Sequence, residues 1–556
     1  MKQQEIKRKQ IICYTYVIGM LGMIGMGKIL GDSGLAVLAV ALEVISLFTM
    51  FVTFGVADVI ARLQRNRRNK GQYKGAARMR GQFLLLQGIT GALLSVLLLL
   101  LSDTLAKEVF RVPYSVSAMK ILAPVVLFQA LDAALLGYFL GSGSHMPSLV
   151  SAVLRQGFFL VLASLLGRRL ADYGDKVSNL LKNSSYSGMY GAMGVALGIL
   201  LTELLVFLFL FIVYMVSDRK ADEHKSQEGL RRTESMGDIV RVFCRALWQG
   251  TCTALLGVLP IVLGAVFYLR AASSLPAATS AAPTDEGGGL EFVSQLTAEA
   301  AVAGYGSFFG KCLLLCAVFV LILAARCLSV YGRLQAAVRR EDVRYTRDVA
   351  SVGLHYVWVV GLYFTVTIVV TAPRIAEGFF SGSDAALAGM LRSGGVLILL
   401  TGLAVLLSMV LLANGERYIL MGMLGIWAIL SILIQNMFVK SGGYSATGIM
   451  SGALTAMAML LAAMAAYCVW QNRIGTEYIR ILGVPLAGAG IMGLLMLLTD
   501  KLIGAHMGNV ISVVVAALLG IIVYGVILVM TRNIREYEIS VLYGKQAKKL
   551  LERIIS

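Results

Sequence analysis

Charge is what this 556-residue chain has least of. Only 14% of its residues are Asp, Glu, Lys or Arg, where a soluble domain carries about a quarter. Histidine is scarcer still, with 4 residues, and there are 7 cysteines. Cys13, Cys244, Cys252, Cys312, Cys316, Cys327 and Cys468 sit in or beside apolar segments without metal-site spacing. Free thiols are therefore expected, and no disulfide framework. Cys312 and Cys316 stand one helical turn apart, which suits packing better than a ligand pair. The chain also lacks a nucleotide-binding glycine loop, paired catalytic carboxylates in a loop and a metal cluster. An ATPase within the chain is excluded on those grounds, and no cofactor is expected. A membrane-embedded transferase acting on lipid-linked sugars is the weaker alternative, since only His355 and short loops are there to serve it.

Apolar residues fill the space that charge leaves, at 58% of the chain. Runs of about twenty recur along the whole length, each long enough to cross roughly 30 Å of hydrocarbon as a helix. A helix satisfies its own N–H and C=O groups where lipid offers no partner. The pattern predicts an all-α membrane protein with about fourteen spans: 11–30, 34–60, 82–101, 116–140, 147–166, 190–216, 243–269, 305–327, 349–372, 387–413, 419–439, 447–469, 480–499 and 509–531. Lys28 interrupts the first. MKQQEIKRKQ followed by an apolar run has the charge pattern of a signal peptide, but no small-residue cleavage site follows cleanly, so it reads as an uncleaved first helix.

The net charge of +18 would point to nucleic acid in a soluble protein. Here Lys and Arg collect on one side of the membrane: in KQQEIKRK, 62–80, 217–241, 326–348 and the C-terminal tail. That asymmetry places both termini in the cytoplasm of a multi-pass plasma-membrane protein and removes nucleic acid as a partner. In the tail, Ala547, Leu550, Leu551 and Ile554 share a helical face near Lys545, Lys548, Lys549 and Arg553. It is either a helix lying on the anionic inner leaflet or a solvated basic segment. The loop 270–304, rich in Ala, Ser, Thr, Pro and Gly, is expected to be poorly ordered. The polar stretch 217–241 reads as a cytoplasmic linker.

Loop lengths repeat. Long basic inner loops join spans two and three and spans eight and nine. Short inner turns, GSGSHM at 141–146 and NGERY at 414–418, join four to five and ten to eleven. Two pseudo-symmetric six-helix lobes, 1–216 and 242–470, follow from this, with two extra C-terminal helices in 471–531 and a basic tail in 532–556. The repeat places substrate between the lobes near mid-membrane.

At this point the chain resembles the multidrug/oligosaccharidyl-lipid/polysaccharide exporter superfamily. Within it, the likeness is to the polysaccharide biosynthesis proteins of the stage V sporulation protein B and lipid II flippase group. The segments that carry the likeness are GMGKILGDSGLAVLAVALEVISLFTMFVTFGVADVIARL (25–63), GYFLGSGSHMPSLVSAVLRQ (137–156), YGAMGVALGILLTELL (190–205), GGYSATGIMSGALTAM (442–457) and YEISVLYGKQAKKLLERI (537–554). Each motif is loose; their order and spacing span nearly the whole chain. The resemblance implies alternating access and export of a polyprenyl-pyrophosphate-linked saccharide, with the last two helices holding the lipid tail. It further implies a monomer beside glycan-synthesis enzymes. The flippases line their cavity with several arginines on helices one, two and eight. This chain offers Lys28, Arg62 and Lys311 there, and both lysines are placed toward the outer face, where long side chains snorkel to water. The multidrug antiporters of the same superfamily are the first alternative; the two extra helices and the basic residues argue against them.

Ionisable groups inside hydrocarbon are expensive and call for a partner or a function. Asp132 and Arg155 lie equally far from the centre of the 141–146 turn. On antiparallel helices of equal rise they share a depth and can meet. The pair either fixes the hairpin or lets Arg155 contact a substrate phosphate with Asp132 orienting it. Glu43 and Glu203 lie within the second and sixth spans. The second half shows no carboxylate inside a span apart from Glu416 in its turn. Glu43, Asp132 and Glu203 are therefore candidates for coupling to a cation, or for interhelical hydrogen bonding. Arg62, with Asp58 one turn before it, either forms a solvated i,i+4 pair or captures a pyrophosphate, the latter on the resemblance alone. Arg245, with Trp248 and Gln249, opens the seventh span and is expected to face Arg62 across the lobes. His355 reads as a packed or interfacial residue. Gln435 and Asn436 either bond sugar hydroxyls or join helices.

Overall fold

A computed structural model describes residues 3–182, 185–221, 236–274, 298–380, 385–441, 445–471, 473, 479–503 and 508–543. The linker core, most of the 270–304 loop and the basic end of the tail lie outside the described residues. Among those described there is no β-strand. The helices are α1 (Gln3–Thr53), α2 (Val56–Asn69), α3 (Tyr73–Thr104), α4 (Val116–Ser142), α5 (Met146–Leu181), α6 (Ser185–Ala221), α7 (Met236–Ala272), α8 (Ala298–Ser307), α9 (Leu314–Val338), α10 (Val343–Phe380), α11 (Ala385–Ala413), α12 (Arg417–Ser441), α13 (Ala446–Trp470), α14 (Val484–Ile503), α15 (Asn509–Met530) and the short α16 (Glu536–Tyr543).

Thirteen stretches are long and apolar enough to cross a membrane. The first, Gln4–Asn69, has 66 residues and would be about 100 Å long as one rod, several times the hydrocarbon thickness. It is two crossings broken at Gly31, whose φ of 64° and ψ of 178° are open to glycine and costly to any residue with a Cβ. The protein is thus an all-α, multi-span membrane protein, with fourteen apolar crossings among the described residues once the first stretch is divided at Gly31. Lys28 does not break the first helix; the glycine three residues later does.

Contacts group the chain into two units. One takes Gly25–Gly310 with Lys440–Ser445, and the other takes the remainder. In the first unit, α5 and α6 pack along a stripe of small residues. A Cβ added to Gly198 would lie 2.6 Å from Ala163 Cα, and one on Gly194 would lie 2.4 Å from the Leu166 carbonyl oxygen. Close backbone approach of this kind drives helix association where lipid removes the hydrophobic incentive. The same unit contains α7. Phe243 stacks obliquely on Phe83 with ring centroids 5.1 Å apart, in an apolar cluster with Val56, Val59, Ile60 and Met79.

In the second unit α10 packs against α9, α11, α14 and α15. Its polar groups tie those neighbours in place: Trp358 Nε1 donates to the Leu482 carbonyl (3.0 Å), Tyr363 to that of Ala517 (3.0 Å) and Thr365 to that of Gly395 (2.8 Å). The outward faces of α14 and α15 are apolar and exposed, with Leu486, Leu498, Ile522 and Val526 all more than half accessible. Such a surface is stable only against lipid. All seven cysteines are free thiols. Cys312 and Cys316 pack against Gly394, and Cys312 Sγ donates to the Met390 carbonyl at 3.3 Å.

Candidate functional site

The α4–α5 hairpin turns at Gly143, whose φ is 92°. The turn sets Asp132 and Arg155 at one depth. Arg155 Nη2 donates to Asp132 Oδ2 at 2.8 Å, as the spacing predicts. A third helix enters the pair: Arg155 Nε donates to Glu203 Oε2 on α6 at 3.0 Å, and Gln129 Nε2, one turn before Asp132, donates to Glu203 Oε1 at 3.1 Å. Asp132 and Glu203 are buried, and the Arg155 side chain is 18% exposed. One guanidinium thus faces two carboxylates, and Asp132 Oδ1 has no hydrogen-bond partner among the described residues. Glu203 was identified by its depth in the sixth span, but its bond to Arg155 was not legible. That bond depends on how α6 is rotated against α5, which the glycine stripe sets.

Glu43 is buried in the second crossing and accepts from the Tyr305 hydroxyl on α8. Its other oxygen has no hydrogen-bond partner among the described residues. Tyr305 is fully buried beside Tyr268, whose hydroxyl donates to the Ala301 carbonyl at 3.0 Å. Tyr305 carries no charge at neutral pH and gives no periodic signal, so sequence reasoning passed over it.

The remaining candidates are dispersed. Arg62 on α2 and Arg245 on α7 are exposed and belong to one contact unit. The apolar residues two positions before each, Ile60 and Phe243, share one cluster. Other basic residues of the 62–80 segment serve the helix ends. Arg65 Nη2 donates to the Leu140 carbonyl at 2.9 Å, and the Arg80 guanidinium lies 5.1 Å from the ring centroids of both Tyr138 and Tyr214. Lys28 is exposed. Lys311 does not snorkel: it sits buried in the π-helical turn Phe308–Leu313, with Nζ 5.8 Å from the centre of the Phe380 ring. The wide turn swings the residue inward, and the aromatic face partly replaces its hydration. Gln435 is buried and donates to Ser431 Oγ one turn back at 2.8 Å, while Asn436 is half-buried.

Two further ionic groups were missed. Arg374 on α10 meets Asp500 on α14 at 3.1 Å and donates to Asn509 Oδ1 at 2.9 Å. A carboxylate does therefore stand in a helix of the second half. It escaped notice because α14 runs a turn beyond the apolar window. His355 is buried and far from lone: its Nδ1 lies 2.9 Å from Glu538 Oε2 on α16, and its Nε2 lies 3.1 Å from Asn533 Nδ2. With the amide donating to Nε2, the imidazole donates its Nδ1–H to Glu538. Arg480 also pairs with Glu538. Burial raises the Glu538 pKa, but the hydrogen bond from His355 and the neighbouring Arg480 guanidinium outweigh it. The carboxyl is held below its ordinary range.

This helical fold has solved counterparts. The structure titled "Lipid II flippase MurJ, inward closed conformation" aligns with a TM-score of 0.59 at 12% identity, over 95% of this chain and 99% of that one. The chain has the MOP-superfamily fold. An inward-facing multidrug resistance MATE transporter of the MOP superfamily aligns with a TM-score of 0.56 at 16% identity, over 85% of this chain and 95% of that one. A MOP superfamily transporter from Pyrococcus furiosus gives 0.51 at 15% identity, over 84% and 96%. Residues 11–192 match the family model described as polysaccharide biosynthesis protein. No curated protein matches the chain. The Arg155 network and the Glu43–Tyr305 pair are buried polar groups among the described residues of the Gly25–Gly310 unit.

Proposed function

We propose that this protein is a MOP transporter that moves a polyprenyl-pyrophosphate-linked saccharide across the cell membrane by alternating access, with both termini cytoplasmic. The observation that carries this reading is coverage. The lipid II flippase aligns over 95% of this chain, whereas the MATE transporter aligns over 85%. The difference is on the scale of two further helices, and α14 and α15 bear the exposed apolar surface that a lipid tail would use. The lipid-linked saccharide and the surrounding lipids are the partners, with glycan-synthesis enzymes nearby and the chain acting as a monomer. Its halves are read as six-helix lobes, 1–216 and 242–470, followed by the two extra helices.

Arg155 is the candidate for contact with a substrate phosphate, its fork suited to bidentate recognition. Arg62 and Arg245 flank one apolar cluster as candidates for the approach of the pyrophosphate, and Lys28, Lys311, Gln435 and Asn436 for other contacts. The Arg155 cluster carries one net negative charge when both carboxylates are ionised. A proton or cation entering it balances that charge, which makes Asp132 and Glu203, with Glu43, the candidates for ion coupling.

The test is reconstitution. Fluorescent polyprenyl-pyrophosphate saccharides are placed in proteoliposomes and their movement between leaflets is followed with and without Na⁺ and pH gradients. Movement above empty vesicles that responds to a gradient is expected. If every such lipid moves no faster than in empty vesicles while organic cations are exchanged, the protein is instead a multidrug antiporter.

A further inference from the structure

Within the second unit, the start of α10, the π-helical turn Ile479–Gly483 before α14 and the segment leading into α16 come together around a recess of ≈ 530 Å³. That volume lies within the range of small-molecule sites, ~300–1,000 Å³. Four guanidiniums line it, from Arg344, Arg347, Arg480 and Arg535, against two carboxylates, Asp348 and Glu538. Arg480 is engaged by Glu538 and by the Asn533 carbonyl. Arg344 is exposed and makes no hydrogen bond or ion pair among the described residues. The recess therefore holds surplus positive charge where α10 begins, the end of the bundle assigned to the cytoplasm.

Its rim is apolar. The residue immediately before each of three arginines is an exposed aliphatic: Val343 at 72%, Ile479 at 84% and Ile534 at 42%. A site for a soluble anion has no use for exposed aliphatic side chains next to its arginines, whereas lipid covers them at no cost. A guanidinium beside an aliphatic at a helix end suits the boundary between acyl chains and headgroups, where each basic residue near an anionic leaflet contributes about 1 kcal/mol.

We propose that this recess is a binding site for the phosphate of an anionic membrane-lipid headgroup, held by Arg344, Arg347 and Arg535, with the acyl chains lying against Val343, Ile479 and Ile534. Because α10 and the segment between α15 and α16 both contribute arginines, an occupied site ties that segment to α10. The depressed Glu538 pKa fits the same arrangement: an ionised Glu538 keeps Arg480 in place in the wall of the recess. This inference needs no transport activity and stands or falls apart from it.

The test uses the full-length protein in detergent, with lipid retention read by native mass spectrometry. The probes are phosphatidylglycerol, phosphatidylcholine and inorganic phosphate. Wild type should retain phosphatidylglycerol in preference to phosphatidylcholine. Arg344→Gln and Arg347→Gln together should lower that retention by about fivefold for each arginine removed. Arg535→Gln alone should lower it about fivefold, which covers the case of a double variant that folds poorly. Arg417→Gln, at the start of α12 and outside the recess, should change nothing. Retention unchanged in the recess variants, or lost equally in Arg417→Gln, overturns the site. Displacement of the lipid by an equal concentration of inorganic phosphate overturns the assignment to lipid.

Discussion

Replacing Arg155 by Ala leaves Asp132 and Glu203 buried without their counter-charge. Removing one partner of a buried ion pair costs roughly 3–5 kcal/mol in soluble proteins. A marked drop in the detergent unfolding temperature is therefore expected. Combining Arg155→Ala with Asp132→Ala and Glu203→Gln should restore much of it, because no lone charge then remains. A single variant as stable as wild type would show that the network contributes little to folding. If the triple variant folds but does not transport, the network serves substrate or ion; if it transports, its role is structural. Half of this cluster was readable from spacing alone. Asp132 and Arg155 belong to one hairpin, and equal distance along antiparallel helices means equal depth. Gln129 and Glu203 complete it through an orientation of α6 that no spacing records. Lys311 shows the opposite failure: position near a helix end suggested snorkelling, but a π-helical turn redirected the side chain toward Phe380.

The element scale is governed by close approach. At Gly198 an added methyl would stand 2.6 Å from Ala163 Cα, whereas at Gly257 on α7 it meets nothing within 4 Å. Gly198→Ala should push α5 and α6 apart and lower the unfolding temperature, at the ~1–3 kcal/mol scale of overpacking. Gly257→Ala should be neutral or mildly stabilising, because alanine restricts the unfolded chain. Equal effects at the two positions would count against the packing argument. The small residues of 190–198 were visible in the sequence, but which helix they face was not. The predicted spans 11–30 and 34–60 leave Gly31 in the gap between two crossings, and its φ of 64° supplies the break there.

For the molecule as a whole, orientation is the property that charge asymmetry predicts and that can be measured directly. Cys244 is exposed near the start of α7. In a variant retaining only that cysteine, a membrane-impermeant maleimide should label inverted vesicles and leave intact cells unlabelled. Labelling from outside would reverse the assignment and with it the side on which the arginine-lined recess opens.

The sequence alone determined the class of environment, the approximate number of crossings and the shared depth of Asp132 and Arg155. Those follow from transfer free energy and helical rise, which are properties of a segment by itself. Tertiary structure decided the partners: Glu203 for Arg155, Tyr305 for Glu43, Glu538 for His355, and α10 as the helix on which the last two crossings pack. In lipid, apolar faces are nearly interchangeable, so helix rotation and neighbour choice rest on small-residue fit and a few buried hydrogen bonds. Those contacts join residues far apart in the chain, and no local pattern encodes them.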